Sequence, residues 1–146
     1  MFRVVTSEGA FGLLAALPRC IPLSDAEIDH CEAAGGIPFT SEFRRLLRIA
    51  GGSLGWLFPN GLDHPSQVAE LRRLAVELFA DSGWTLGPID IVLDFDEQGC
   101  GMLFLRADGE QSRVYRYEEA AGPEDTGLTL GLYLAGVLER HLGANA

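Results

Sequence analysis

The sequence predicts an α+β domain, with helices first, an antiparallel meander after them and one closing helix. Three observations carry this. Apolar residues recur at helical spacing between residues 24 and 79, the period falls to two from Ile89 onward, and a broadly apolar helical run returns after residue 129. Helices in one block and consecutive strands in another define the α+β class, whereas strict alternation would indicate a parallel α/β sheet.

The first clear helix opens at Ser24-Asp25-Ala26-Glu27, a capping box. The Ser24 hydroxyl can accept from the Glu27 amide while Glu27 reaches back. Ile28 and Cys31 give it an apolar side, and Gly35-Gly36 ends it. Ile37-Pro38 reopens the chain, and Thr40 or Ser41 caps a second helix. Phe43, Leu46, Leu47 and Ala50 share one face of that helix; Arg44, Arg45 and Arg48 lie off it, and Gly51-Gly52 stops it. An irregular stretch over 53–64 holds Trp56, Leu57, Phe58 and a Pro59-Asn60-Gly61 turn. Pro65 and Ser66 start a third helix with Val68, Leu71, Ala75, Leu78 and Phe79 on one face. Ile89, Ile91, Leu93 and Phe95 then alternate with Asp90, Val92 and Asp94, the pattern of a half-buried strand. Strands over 102–105 and 113–117 follow, separated by turns at 96–99 and Asp108-Gly109. Glycine, proline and acids over 121–126 predict a loop. The last helix spans about 129–142, with Arg140 and His141 complementing its carbonyl end.

With 146 residues, no repeat and no linker, a single domain over 1–146 is expected. No stretch approaches the roughly 18 apolar residues of a membrane span. Residues 10–17 (AFGLLAAL) are apolar, but Glu8 interrupts the approach and Pro18-Arg19-Cys20 supplies no small-residue cleavage site. A buried segment is expected there, with strand, helix or frayed end left open for the first 20 residues. Cys20, Cys31 and Cys100 are odd in number and widely spaced, so reduced thiols and a cytoplasmic location are expected. Twenty-one acidic against eleven basic side chains give a net charge of −10. Such a surface disfavours direct nucleic-acid or anionic-membrane binding and steers basic partners, although acidity also serves plain solubility.

The motifs of catalysis and metal binding are incomplete. Asp94-x-Asp96-x-Gln98-Gly99 begins like a calcium loop, but Leu105 stands where a bidentate Glu is required and the flanks read as strands. Asp94 and Asp96 point to one side of a strand end, as an acid/base pair would, yet carboxylates at a turn are ordinarily solvated. His30 and Cys31 are helix neighbours about 100° apart, unsuited to a dyad. His64 reads as a turn residue. Gly99-Cys100-Gly101 lacks the length, Lys and Ser/Thr of a phosphate cradle. The expectation is therefore no catalytic residue, no metal and no cofactor.

Recognition elements remain. Trp56 and Phe58 sit in an irregular segment after a helix, as anchors for a partner or as a plug beneath the loop. Asp94, Asp96, Glu97, Asp108, Glu110, Glu118 and Glu119 all fall at strand ends or turns. A meander brings alternate turns to one edge, so some of these can form a common acidic rim.

Taken in order, these residues resemble the SUKH superfamily, which includes the yeast cell-wall synthesis regulator and many bacterial immunity proteins. The likeness begins with the acidic helix over 24–34 and with Ile37-Pro38 leading into Phe43-x-x-Leu46-Leu47. Ala50-Gly51-Gly52 then stands where the family shows an Asn-Gly-Gly type of ending. The strand over 89–95, the turn Asp96-x-x-Gly99, the strand over 102–105, Val114-Tyr115-Arg116-Tyr117 and a closing helix after an acidic loop complete it, across residues 24–142. The resemblance implies helices packed on one mostly antiparallel sheet and a non-enzymatic role. That role is commonly the neutralisation of a toxin, often a nuclease with a basic active-site surface; the alternative is a regulatory scaffold that binds endogenous proteins. The family offers no shared catalytic residues to carry over.

Overall fold

The computed structural model describes residues 6–143; questions about residues 1–5 and 144–146 lie outside them. Over that range five α-helices surround one four-stranded sheet: α1 (Ser7–Ala16), α2 (Asp25–Gly35), α3 (Ser41–Ala50), α4 (Val68–Leu78) and α5 (Leu130–Gly143). The strands are β1 (Ile91–Phe95), β2 (Gly101–Asp108), β3 (Gln111–Glu118) and β4 (Gly122–Thr129), antiparallel in the order β1-β2-β3-β4. The α+β class is as the sequence predicts.

Local signals set most helix starts. Ser24 and Glu27 form the reciprocal capping box, with amide contacts of 3.2 and 3.1 Å, and Gly36 takes the left-handed conformation beyond the end of α2. Thr40 caps α3 through the Phe43 amide, and Phe43, Leu46, Leu47 and Ala50 are all buried. The apolar 10–17 segment lies mostly in α1, capped by Thr6; it buries Ala10, Phe11 and Leu14 in the main core. Pro65–Gln67 forms a short 3₁₀ turn ahead of α4, and His64 Nδ1 accepts from the Ser66 amide there.

The sheet is covered on both faces. Ile91, Leu93, Leu105 and Val114 join the main core with α1, α2, α3 and α5. Val92, Phe95, Met102, Phe104 and Tyr117 form a second core under Ala75 and Phe79, with Trp84 stacked on Tyr117 at a ring separation of 4.4 Å.

Four details differ from the sequence reading. Alternation over 89–95 fails because a bulge between Val92 and Asp94 moves Phe95 to the face of Val92, opposite Leu93. Ile89 lies outside the strand and is exposed, while Asp90 is 1% exposed, held by Arg106 at 2.9 and 3.2 Å and by the Gly87 amide at 2.7 Å. Residues 121–126, expected as a loop, lie largely within β4. As an edge strand, β4 needs only backbone pairing on one side, so it accommodates Pro123, the acids and a bulge without an apolar face. On α4, Leu78 is 48% exposed and does not share the buried face of Val68 and Ala75.

One carboxylate joins the two halves of the fold. Glu42, in the first turn of α3, accepts from the Ser112 amide of β3 at 2.8 Å and from the Gly131 amide of α5 at 3.0 Å; its own N–H donates to the Glu110 carbonyl. Glu42→Ala therefore leaves two part-buried amides without their acceptor. The variant is expected to lose roughly 2–3 kcal/mol of unfolding free energy in urea titration, against under about 0.5 kcal/mol for Glu77→Ala on exposed α4.

Candidate functional site

The two hairpin turns at one end of the sheet lie side by side. Asp96 organises the β1–β2 turn: its Oδ1 accepts from the Cys100 amide at 2.8 Å, and Gly99 supplies the positive φ of 73° that the reversal requires. The Glu119 amide donates to the Cys100 carbonyl at 3.1 Å, tying the β3–β4 turn to it. Asp94, Asp96, Glu97, Glu118 and Glu119 thus gather at this end. Asp108 and Glu110 flank the β2–β3 turn at the opposite end, so the expected rim divides into two groups.

The five gathered carboxylates differ electrostatically from Glu8, Asp25, Asp29 and Glu32 on α1 and α2. Arg44 pairs with Asp29 and Glu32, Arg45 grips Glu8 with both nitrogens, and Arg48 reaches Asp25 at 2.7 Å. Hydrogen bonding and charge from Arg45 hold Glu8 below its usual pKa, as Arg48 does for Asp25. Among the described residues, none of Asp94, Asp96, Glu97, Glu118 and Glu119 takes part in an ion pair.

Between the two turns lies a cleft of about 200 Å³, lined by Asp94, Asp96, Gly101, Met102, Leu103, Phe95, Arg116, Tyr117 and Glu118. The ladder explains this lining. Leu103 lies opposite both Asp94 and Arg116, while Met102 lies opposite Phe95 and Tyr117. Gly101 keeps the floor open, since a Cβ there would come within 3.1 Å of an Asp96 carboxylate oxygen and strike the Tyr117 carbonyl. Asp94 is half-buried, and burial pushes its pKa above the ordinary 3.8 even though the Asn60 and Phe95 amides bond it.

The aromatic candidates stand elsewhere. Phe58 is 1% exposed inside the main core, so its side chain is a plug and offers no surface to a partner. Trp56 is half-buried against the same core, with the Arg19 guanidinium 4.6 Å from its ring centroid and His141 edge-on at 5.4 Å. The calcium-like run is a β-hairpin turn, and Leu105, at its twelfth position, is buried under the helices. Gly101, Met102, Leu103 and Arg116 escape the sequence reading as site residues. Pairing 102–105 against 113–117 in antiparallel register is the signal that sets Leu103 beside Arg116.

No protein-family model, curated protein or solved structure matches the chain.

The raised pKa of Asp94 fixes a sign. The unfolded chain ionises this carboxyl more readily than the folded one, so its contribution penalises the fold as pH rises through the interval above 3.8, and the penalty is absent below it. Asp94→Asn, which retains an acceptor for Asn60, is expected to raise stability at pH 7 relative to the wild type and to leave it unchanged near pH 3. Urea midpoints measured across that range check both halves of the statement.

Proposed function

We propose that this chain is a non-catalytic binding domain of the immunity type, neutralising a cognate basic toxin domain by direct complex formation through the acidic end of its sheet. The observation that supports it is the contrast in charge pairing. Glu8 of α1 and Asp25, Asp29 and Glu32 of α2 are matched by the arginines of α3, whereas five carboxylates at the β1–β2 and β3–β4 hairpins have no ion-pair partner among the described residues. Unpaired charge fixed on a hairpin end projects a field that accelerates encounter with a basic surface and selects against acidic ones. Asp108 and Glu110, at the other end, stand outside this contact.

Immobilised protein would be presented with lysate of the native cell and of toxin-bearing competitors, beside an acidic protein of matched charge. A basic toxin-like protein retained only by this chain supports the proposal; recovery of endogenous envelope-assembly proteins alone would replace it with the scaffold alternative. Against the recovered partner, the triple variant Glu97→Lys, Glu118→Lys, Glu119→Lys is expected to weaken binding by about a hundredfold, mainly through association rate, with an unchanged circular dichroism spectrum. The control at the far end of the sheet, Asp108→Lys with Glu110→Lys, should change affinity by less than about threefold. A folded triple variant that binds and protects as the wild type does would remove the acidic end from the mechanism.

A further inference from the structure

We infer that the cleft between the two acidic turns receives a single lysine or arginine side chain presented by a partner protein, an inference that rests on the partner-binding reading above and specifies its contact.

Size sets the class of occupant first. A volume of about 200 Å³ falls below the roughly 300–1,000 Å³ of a small-molecule site, and suits one extended side chain. The lining has the two parts that a long basic residue needs. Leu103, on the same face as Asp94 and Arg116, supplies an apolar patch for a methylene stem, which Lys and Arg readily bury; Phe95, Met102 and Tyr117 turn their side chains into the second core and border the cleft from the other face. Asp94 and Asp96 on one wall and Glu118 on the other supply acceptors for the charged head, and a guanidinium can engage two of them at once. Arg116 is the single cation of the lining, so carboxylates outnumber it three to one. It stands opposite Leu103, and its charge is felt by Tyr133 of α5 together with that of Arg140.

Gly101 is what makes the floor accessible: any larger residue would meet the Tyr117 carbonyl. The carboxylates are also held before any partner arrives. Asp96 is fixed by the Cys100 amide and Asp94 by the Asn60 amide, so a bound cation would meet ordered acceptors and less side-chain freedom would be lost on binding.

The test uses the whole protein, ¹⁵N-labelled, titrated with blocked Gly-Arg-Gly, Gly-Lys-Gly and Gly-norleucine-Gly tripeptides and followed by NMR. Expected are saturable shifts at the amides of Asp94, Asp96, Gly101, Leu103, Arg116 and Glu118 for the two basic peptides, with norleucine at least about tenfold weaker. Glu118→Gln should weaken binding severalfold, Asp96→Asn should do so independently, and Glu110→Gln at the far end should have no effect. Shifts spread evenly over both ends of the sheet, equal binding of norleucine, or no saturation by about 10 mM would overturn the inference. Tripeptide binding without any captured partner would leave the cleft standing and remove the toxin reading. Partner capture without tripeptide binding would keep the acidic end as an interface and remove the cleft as its contact.

Discussion

Glu42 sits where three parts of the chain that are distant in sequence must meet. Its position in the first turn of α3 follows from the Thr40 cap, and its carboxylate then accepts from the amides of Ser112 and Gly131. The Gly131 amide belongs to the opening turn of α5, whose first N–H groups have no partner within the helix. A negative group at that end also complements the helix dipole. Gly131 permits the close approach: a Cβ on it would press against Ser7 of α1 at 2.6 Å. Sheet register, the seat of α5 and the docking of α1 therefore depend on one side chain and one glycine.

Charge follows an equally definite layout. α3 carries three arginines along the side turned away from its buried stripe, and each reaches an acid on α1 or α2. Individually such surface pairs contribute little, from nothing to about 1 kcal/mol. Collectively they pair four of the helical acids in a chain whose formal charge is −10. The second sheet face is balanced too, by Arg106 with Asp90 and Arg113 with Asp125, which separates two guanidiniums that lie directly opposite each other on β2 and β3. Carboxylates without an ion-pair partner among the described residues then gather at the ends of the sheet, where turns project.

Where local chemistry decides, the sequence is a sufficient guide. The Ser24 capping box, the Thr40 cap, the buried face of α3 and the three hairpin strands depend on neighbours within a few residues. Tertiary context decides the rest. β4 has the composition of a loop because it is an edge, and the bulge at Val92–Asp94 has no signature in an otherwise regular alternation. Asp90 reads as a solvent-facing residue because alternation says nothing of an arginine sixteen positions away. The acidic end is legible as a set of turn residues, and its division into two groups follows from meander geometry. Its apolar patch is not, since Leu103 reads only as core. Phe58 shows the converse: an aromatic in irregular backbone that the fold closes over.

The composition of β4 has a consequence for how copies of this chain behave at high concentration. On the far side of the sheet, the Asn60–Gly61–Leu62 segment already bonds the outer edge of β1. β4 leaves the other edge open, but Pro123 has no N–H to offer, Glu124 and Asp125 repel a like strand, and the left-handed turns at Gly122 and Gly127 interrupt its extended run. A second copy finds no continuous row of amides to extend. The hairpin end can thus stay densely charged and exposed without the sheet behind it becoming a seed for fibre growth.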